Sequence, residues 1–336
     1  MMNTFTRYFQ VPVLTFIFIV AFLNTQACAD ESDTIERSFT VQPGGQLNLE
    51  SDRGSIKIET HNKNSVDVVV TKRVDAFSDS RAREIIEGFE ISFNHSGDDV
   101  EIQGKARTLS SDAFNRLRLQ YVVTVPSQYD LELRTAGGSI NIDDIEGDID
   151  AKTAGGSLTF GNVVGTVEGK TAGGSISLNA ADGNVDVRTS GGSISIGGAQ
   201  GDVVARTSGG SISIGEVYGV LDARTAGGSI NIKGVTGTVD ARTSGGSVQA
   251  TILRQPDEDC TLKTSGGSIS VTLPENVSLD IDARSHGGKI KTDLPITVRG
   301  DISKSRIEGA LNGGGPTLTM ETSAGNIIIN KGRDVL

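Results

Sequence analysis

The sequence predicts an all-β fold, a right-handed parallel β-solenoid of about 18-residue, two-strand coils behind a β-rich N-terminal cap. Three observations predict it: a short motif recurs at a fixed step, apolar residues alternate on both sides of that motif, and Gly and aromatic residues are unevenly distributed. Of 43 Gly in 336 residues, all but the six that precede Thr135 follow it, whereas only Phe160 and Tyr218 are aromatic there. A compact domain of this length normally needs more large side chains for its core.

Residues 1–29 have the pattern of a secretory signal peptide. Arg7 is followed by an apolar run from 11 to 23, which is too short for a free-standing membrane span. Ala27-Cys28-Ala29 then offers a cleavage site between Ala29 and Asp30. In the alternative interpretation Cys28 is acylated, although Thr25 stands where a lipobox usually has Leu. We therefore expect export to the periplasm or cell surface, with no integral membrane segment after signal removal.

Residues 30–134 are expected to form the N-terminal cap. Their alternating apolar residues predict strands at 38–41, 46–49, 56–59, 66–70 and 117–125, a hairpin of 89–93 with 100–103, and one short helix at 80–87. Most aromatic residues outside the signal peptide lie here, as expected where the open end of a solenoid must be closed.

The motif Thr-[Ala/Ser]-Gly-Gly-Ser-[Ile/Leu/Val] determines the expected architecture of residues 135–330. It begins at Thr135, Thr153, Thr171, Thr189, Thr207, Thr225 and Thr243, always 18 residues apart, and again at Thr264, with variants at Ser285 and Thr322 and an early echo at Ser51. A fixed short period indicates stacked units. We expect ten to twelve coils in sequence order, an irregular penultimate coil at 295–316 and a polar tail at 331–336.

Each unit alternates apolar and polar residues in two short stretches, which predicts two strands. Val239 and Ala241 precede one Thr, and Ile230 and Ile232 follow another, all in the inward phase. Gly-Gly forms one corner, and we expect φ > 0 at both corners. The second corner carries Gly147, Gly165, Gly183, Gly201, Gly219 and Gly237. An 18-residue unit is too small to fold alone, so the coils must stack, and the crossover rule for parallel strands favours a right-handed turn.

The outward positions form two kinds of surface. A Lys or Arg precedes each Thr, and an acid usually stands two residues before that base, so we expect columns of opposite charge to offset each other. A basic strip for an anionic glycan is the alternative. The other face is uncharged, and its candidate contact residues are Ser175, Ser177, Ser193, Ser195, Ser211, Ser213, Ser229 and Asn231. The alternative is a face that only keeps the protein soluble and prevents aggregation.

Charge and residue pattern argue against several functions. Removing residues 1–29 takes away one base, Arg7, and no acid, leaving 30 bases against 42 acids and a net charge of −12. An acidic surface does not attract nucleic acid. The three His lack metal-ligand spacing, no catalytic triad pattern is present, and we expect no metal or cofactor. Cys260 has the inward phase of Val239 and is expected to be a buried apolar side chain.

Three features point to a known family: Tyr-Val-Val-Thr-Val-Pro at 121–126, Leu-Glu-Leu-Arg-Thr-Ala-Gly-Gly-Ser-Ile at 131–140, and the closing Gly-Asn-Ile at 325–327. In these, and in its Gly-Ser-Ile coils, the sequence resembles the bacterial "putative adhesin" family of exported β-strand-repeat proteins, a domain of unknown function. The resemblance covers most of residues 38–330. It implies a parallel β-solenoid in an envelope or surface protein and supplies no site residues.

The expected function is non-enzymatic and adhesin-like: the contact face would bind a cell-surface glycan or an envelope protein. A structural scaffold is the alternative, in which the chain assembles end to end through unpaired terminal strands. The third hypothesis is an enzyme with its site in the N-terminal cap.

Overall fold

The computed structural model describes residues 29–76, 78–298 and 303–332, and most of them lie in β-strands. The predicted signal peptide apart from Ala29, the alternative acylation site Cys28 and residues 333–336 of the predicted tail lie outside these ranges. Ala29 and Asp30 are the first two residues of a strand, so cleavage between them, which stays a prediction, would occur where the described fold begins. No helix within these ranges is long and apolar enough to cross a membrane.

The N-terminal part contains two helices, α1 (Asp79–Glu87) and α2 (Ser111–Arg116), and seven strands. The strands are β1 (Ala29–Thr40), β2 (Gln46–Ser51), β3 (Ser55–His61), β4 (Ser65–Ala76), β5 (Phe89–Ser96), β6 (Asp99–Ala106) and β7 (Leu117–Pro126). The expectation of a single helix was wrong. Helix α2 has only six residues, too few for a helical period to show, and it is marked by its cap, where the Ser110 side chain accepts a hydrogen bond from the Ala113 amide.

The repeats contribute seventeen strands, and six more follow them. The repeat strands are β8 (Asp130–Thr135), β9 (Ile140–Ile142), β10 (Ile145–Glu146), β11 (Ile149–Thr153), β12 (Leu158–Val164), β13 (Val167–Thr171), β14 (Ile176–Ala181), β15 (Val185–Arg188), β16 (Ile194–Ala199), β17 (Val203–Arg206), β18 (Ile212–Val217), β19 (Leu221–Arg224), β20 (Ile230–Val235), β21 (Val239–Arg242), β22 (Val248–Ile252), β23 (Cys260–Thr264) and β24 (Ile269–Leu273). The last are β25 (Leu279–Ser285), β26 (Ile290–Thr292), β27 (Thr297–Val298), β28 (Arg306–Leu311), β29 (Thr317–Thr322) and β30 (Ile327–Lys331).

The strands form two sheets whose inner faces enclose one narrow core. Sheet 1 has the order β1-β4-β7-β3-β9-β12-β14-β16-β18-β20-β22-β24-β30-β26, and β10 also pairs with β12. Sheet 2 has the order β27-β28-β25-β29-β23-β21-β19-β17-β15-β13-β11-β8-β2-β6-β5. Counting one parallel strand from each sheet, from β6 with β7 to β25 with β26, gives twelve coils. The predicted parallel β-solenoid of two-strand coils is confirmed; its right-handed sense stays a prediction.

Equivalent residues pair across neighbouring coils, so each inward position forms a column. Ile176 pairs with Ile194, and Val203 pairs with Leu221. All four side chains are at most 1 % exposed. The inward side chains of each strand are therefore buried only because the neighbouring coils cover them. This explains why an 18-residue unit is stable only within the stack.

The Thr of each motif is buried and joins successive coils. The Thr189 hydroxyl donates to the carbonyl oxygen of Gly174 in the preceding coil at 2.7 Å, and it accepts a hydrogen bond from the Gly192 amide at 3.3 Å. The pattern recurs along the stack, including Ser285, whose hydroxyl donates to Gly325 at 2.7 Å. A hydroxyl is thus needed at the corner, because it satisfies two backbone groups that the turn leaves without partners.

Replacing Thr189 with Val should lower the free energy of unfolding by about 1–3 kcal/mol, because two backbone groups lose their partner while the volume is kept. Thr189→Ser is the matched control, since Ser fills this position naturally at 285. Urea denaturation followed by circular dichroism measures both. Equal losses in the two variants would mean that the methyl group, and not the hydroxyl, stabilises the corner.

Near each end of the solenoid one coil is inserted between two others, which the sequence did not predict. At the N-terminal end the first coil, β2 with β3, lies between the coil of β6 and β7 and the coil of β8 and β9. At the C-terminal end the last coil, β29 with β30, lies between β23–β24 and β25–β26. The expected sequence order was therefore wrong at both ends, and the segment 295–316 supplies β28, which closes sheet 2 antiparallel to β25.

Two causes select Gly at the second corner: a positive φ at two positions, and a close backbone approach at all six. Gly147 and Gly165 adopt φ of +154° and +153°, as predicted, but Gly183, Gly201, Gly219 and Gly237 do not have positive φ. At Gly219 an added Cβ would lie 2.7 Å from the carbonyl carbon and oxygen of Gly201 in the coil below. Close stacking therefore excludes a side chain there, which corrects the expectation of positive φ at every corner.

Candidate binding surface

The outer face of sheet 2 is a ladder of ion pairs. Arg224 contacts Asp222 at 2.9 Å within its own coil and Asp240 at 2.9 Å in the next. Arg206 has Val204 where the other coils usually carry an acid, and its guanidinium reaches Asp222 instead. Pairing within and between coils supports the expected structural role of these columns, and each half-exposed pair contributes at most about 1 kcal/mol. The basic alternative loses support because these cations already face carboxylates.

The outer face of sheet 1 brings all eight candidate contact residues together. They lie at or just before β14, β16, β18 and β20, where Ser177, Ser195, Ser213 and Asn231 are paired in successive coils. We call the eight residues the serine face. Ser177, Ser195 and Asn231 are exposed, and Ser213 is half-buried. The pairing places their side chains at the strand spacing of about 4.8 Å.

The two columns of the serine face differ in what their oxygens do. The first column begins each strand and helps to hold the coils together: the Ser175 Oγ accepts a hydrogen bond from the Ser193 amide at 3.2 Å, and the Ser193 Oγ accepts one from Ser211 at 3.2 Å. In the second column, Ser177, Ser195 and Ser213 form no side-chain hydrogen bond to another described residue. Their donors and acceptors are therefore available to a ligand.

A shallow groove borders the serine face, and sequence reasoning missed it. Its volume is about 380 Å³. It is lined by Ala180, Ala181, Asp182, Gly197, Gly198, Ala199, Gln200, Gly215, Glu216, Tyr218 and Lys233. Gly197 and Gly215 come two residues after Ser195 and Ser213, so the groove continues the outer face of sheet 1. The one residue that could have indicated the groove from the sequence is Tyr218, because it is one of only two aromatic residues after Thr135 and stands where neighbouring coils have the exposed Asp182 and Gln200.

A second cavity, of about 560 Å³, lies where the N-terminal part meets the first motif corner. Its charged side chains already bind protein groups. The Arg53 guanidinium stacks on the Phe114 ring at 5.2 Å and donates to the Phe114 carbonyl at 3.0 Å. The Asp52 carboxylate accepts a hydrogen bond from the Ala106 amide at 3.0 Å. The Arg53 contacts hold α2 against the turn between β2 and β3, and the Asp52 contact holds the end of β6 there.

Within residues 29–76, 78–298 and 303–332, no three His, Cys, Asp or Glu residues lie close enough together to hold a metal ion.

The repeats of this chain match a known protein family. A family model described as Toastrack DUF4097 matches residues 45–330. The chain belongs to the Toastrack DUF4097 family. The expected resemblance to a β-strand-repeat family of unknown function is thereby confirmed. No curated protein matches this Toastrack chain.

Solved structures of similar proteins cover most of the Toastrack chain at low identity. A "putative adhesin" from Bacteroides fragilis is 14 % identical, with 89 % of this chain and 97 % of that chain covered and a TM-score of 0.34. A "putative lipid binding protein" from Parabacteroides distasonis is 13 % identical, with 90 % and 96 % covered and a TM-score of 0.27. A "putative adhesin" from Parabacteroides merdae is 9 % identical, with 89 % and 96 % covered and a TM-score of 0.29.

Two buried titratable groups of the Toastrack chain are structural. Lys72 is 6 % exposed, and its ammonium donates to the carbonyls of Ile86 at 3.3 Å and Phe89 at 2.8 Å. Burial lowers its pKa, and the charge of Asp33 opposes that shift. Cys260 is 1 % exposed, which confirms the expected inward side chain, and burial raises the pKa of its thiol.

The Cys260 thiol should resist alkylation in the folded Toastrack protein. Both its burial and its raised pKa lower the concentration of accessible thiolate, the reactive form. Mass spectrometry after iodoacetamide treatment should find Cys260 unmodified in native buffer and fully modified in denaturant. Rapid modification in native buffer would show that this coil opens locally.

Proposed function

We propose that this protein is a non-enzymatic binding protein of the cell envelope or surface, and that it binds a glycan through the serine face. The observation that carries the proposal is the column of Ser177, Ser195 and Ser213, whose hydroxyl groups form no hydrogen bond to another described side chain or backbone group. Repeated hydroxyl and amide groups at strand spacing suit a ligand that itself repeats hydroxyl groups.

The chemistry of the two faces supports sheet 1 over sheet 2 as the contact surface. On sheet 2 the charges neutralise each other, as Arg242 does with Asp240 at 2.6 Å. The serine face carries no charge, so a neutral glycan would not need to displace an ion pair before it binds. The signal peptide that the sequence predicts at residues 1–29 would direct such a protein out of the cytoplasm.

A glycan array probed with the protein beginning at Asp30 tests the proposal. The triple variant Ser177→Ala, Ser195→Ala and Ser213→Ala should lose at least tenfold in affinity for the bound glycan, since each removed hydroxyl withdraws about 0.5–1.5 kcal/mol. The matched control replaces Thr261 and Thr319 with Val on the outer face of sheet 2. Absence of any bound glycan, or equal binding by the triple variant and the unchanged protein, would contradict the proposal.

End-to-end assembly through terminal strands has less support. The last strand of sheet 1, β26, has three residues with the exposed Lys291 at its centre, and β27 at the end of sheet 2 has two. At the other end the edge strands β1 and β5 approach each other, with the rings of Phe39 and Phe93 6.2 Å apart. Short, charged or covered edges discourage pairing. Light scattering should therefore give a monomer mass that does not change with concentration.

A further inference from the structure

We propose that the groove beside Tyr218 is a subsite for one uncharged pyranose unit of a glycan. The inference rests on the proposed function, and it assigns the ligand class and the residue that anchors it.

The floor of the groove is bare backbone because the coils approach closely there. A Cβ on Gly197 would lie 2.1 Å from the Asn179 carbonyl oxygen, and a Cβ on Gly215 would lie 1.7 Å from the Gly197 carbonyl oxygen. The pairing of β16 with β18 passes over these two glycines, joining Ile196 to Ile214 and then Gly198 to Glu216. The close approach at these two glycines therefore leaves a depression that no side chain can fill, whereas Asn179 and Lys233 carry side chains at the equivalent positions of the coils on either side.

Tyr218 forms one wall of this depression. It is 45 % exposed and is the exposed aromatic residue of the solenoid body, since Phe160 is buried. Its backbone is fixed from both sides: the Tyr218 amide donates to Ala199 at 3.0 Å, and its carbonyl accepts from the Thr236 hydroxyl at 2.9 Å. Its phenol donates to the Glu216 carboxylate at 3.3 Å. These hydrogen bonds hold the ring in place although it does not pack in the core.

An aromatic ring held at a solvent-facing wall suits the apolar CH face of a sugar ring. Such a ring offers a large apolar contact area at little cost in conformational entropy. Ligand sites combine apolar surface with a few placed polar groups, and volumes start near 300 Å³. The groove, at about 380 Å³, meets that description for a single ring.

The polar groups of the groove favour an uncharged sugar over an acidic one. Asp182, Glu216 and Lys233 together carry a net charge of −1, and Gln200 adds an amide. These groups can accept from and donate to hydroxyls, whereas two carboxylates repel a uronic acid or a phosphate. The protein beginning at Asp30, with 30 bases against 42 acids and a net charge of −12, repels anions as well.

The test uses the protein beginning at Asp30 with neutral hexasaccharides of glucose, mannose and N-acetylglucosamine, and with a hexasaccharide of uronic acid as the charged comparison. Calorimetric titration should give binding of at least one neutral hexasaccharide and none of the acidic one. Tyr218→Ala should weaken that binding at least tenfold, and Tyr218→Phe should retain most of it. Val220→Ala is the matched control, because Val220 is 48 % exposed two residues away and lies outside the groove.

Acetylation by N-acetylimidazole gives a readout at the residue itself. Tyr121 and Tyr129 are at most 1 % exposed, so Tyr218 should react first, and the bound hexasaccharide should slow its reaction. Glycan binding that survives Tyr218→Ala unchanged overturns the subsite and leaves the proposed function intact. No binding of any glycan by the unchanged protein overturns both. Loss of binding in Tyr218→Ala together with full binding by the Ser triple variant supports the subsite and overturns the serine face.

Discussion

Replacing Gly156 with Ala is expected to unfold a large part of the solenoid, whereas the same replacement at the adjacent Gly155 should be close to neutral. A Cβ on Gly156 would lie 2.0 Å from the carbonyl oxygen and 2.2 Å from the carbonyl carbon of Gly138 in the preceding coil. Both contacts are to backbone, so no side-chain rotation can relieve them. A Cβ on Gly155 would meet only the Cα of Gly137, at 4.0 Å.

The expected loss at Gly156 is at least about 3 kcal/mol, in the range reserved for disrupted cores and strained backbone. It arises because one added methyl group forces two coils apart and breaks their hydrogen bonds, including the one from the Thr153 hydroxyl to Gly138 at 2.9 Å. Urea denaturation midpoints measured by circular dichroism compare the two variants. Similar midpoints for Gly156→Ala and Gly155→Ala would show that the coils can separate at this corner without cost.

The repeat made the fold predictable because each structural requirement recurs at every coil. Inward columns such as that of Ile176 and Ile194 follow from alternation alone, and they are buried as expected. The glycine corners were predicted in position but only partly in cause. A left-handed φ and a close backbone approach both select Gly. The sequence therefore cannot show that both causes act at Gly165, where φ is +153° and a Cβ would lie 2.3 Å from the Gly147 carbonyl oxygen, whereas only the close approach acts at Gly219.

The order of the terminal coils was unpredictable for a related reason. Every coil presents the same corner and the same strand edges to its neighbours, so the coil of Thr322 can stack on that of Thr264 or on that of Ser285. It contacts both, with the Thr322 hydroxyl donating to Gly267 at 2.7 Å and the Ser285 hydroxyl donating to Gly325 at 2.7 Å. Likewise the groove was not predicted, because the depression at Gly197 and Gly215 depends on how neighbouring coils approach in space.

Deleting residues 317–336 should unfold more of the solenoid than the deleted coil itself. Strands β29 and β30 lie between two other coils, so their removal takes the parallel partner from β25 and β26 as well as from β23 and β24. Their four inward side chains, Leu318, Met320, Ile327 and Ile329, are fully buried. At about 1.5–3 kcal/mol each, they contribute an upper estimate of about 6–12 kcal/mol of apolar burial to this end of the stack.

Hydrogen exchange read by mass spectrometry measures how far the effect spreads. In the intact protein the amides of 318–321 should exchange as slowly as those of the middle coils, although they lie near the end of the chain. In the deletion variant the protection of 279–285 should be lost, because β28 alone would remain beside β25. Retained protection there would mean that β25 pairs directly with β23 and that the inserted coil is dispensable.

Substitutions at the adjacent residues Ile328 and Ile329 test whether the inserted coil itself is needed, because they leave the length of the chain unchanged. Ile329 is fully buried between the sheets, whereas Ile328 faces outward and is 37 % exposed. Ile329→Asp places a charge in the core and should reproduce the loss of protection at 279–285 with the full chain present. Ile328→Asp should leave it unchanged. If both substitutions are harmless, the C-terminal coil does not hold the end of the solenoid together, and stability there must come from the antiparallel β25–β28 pair.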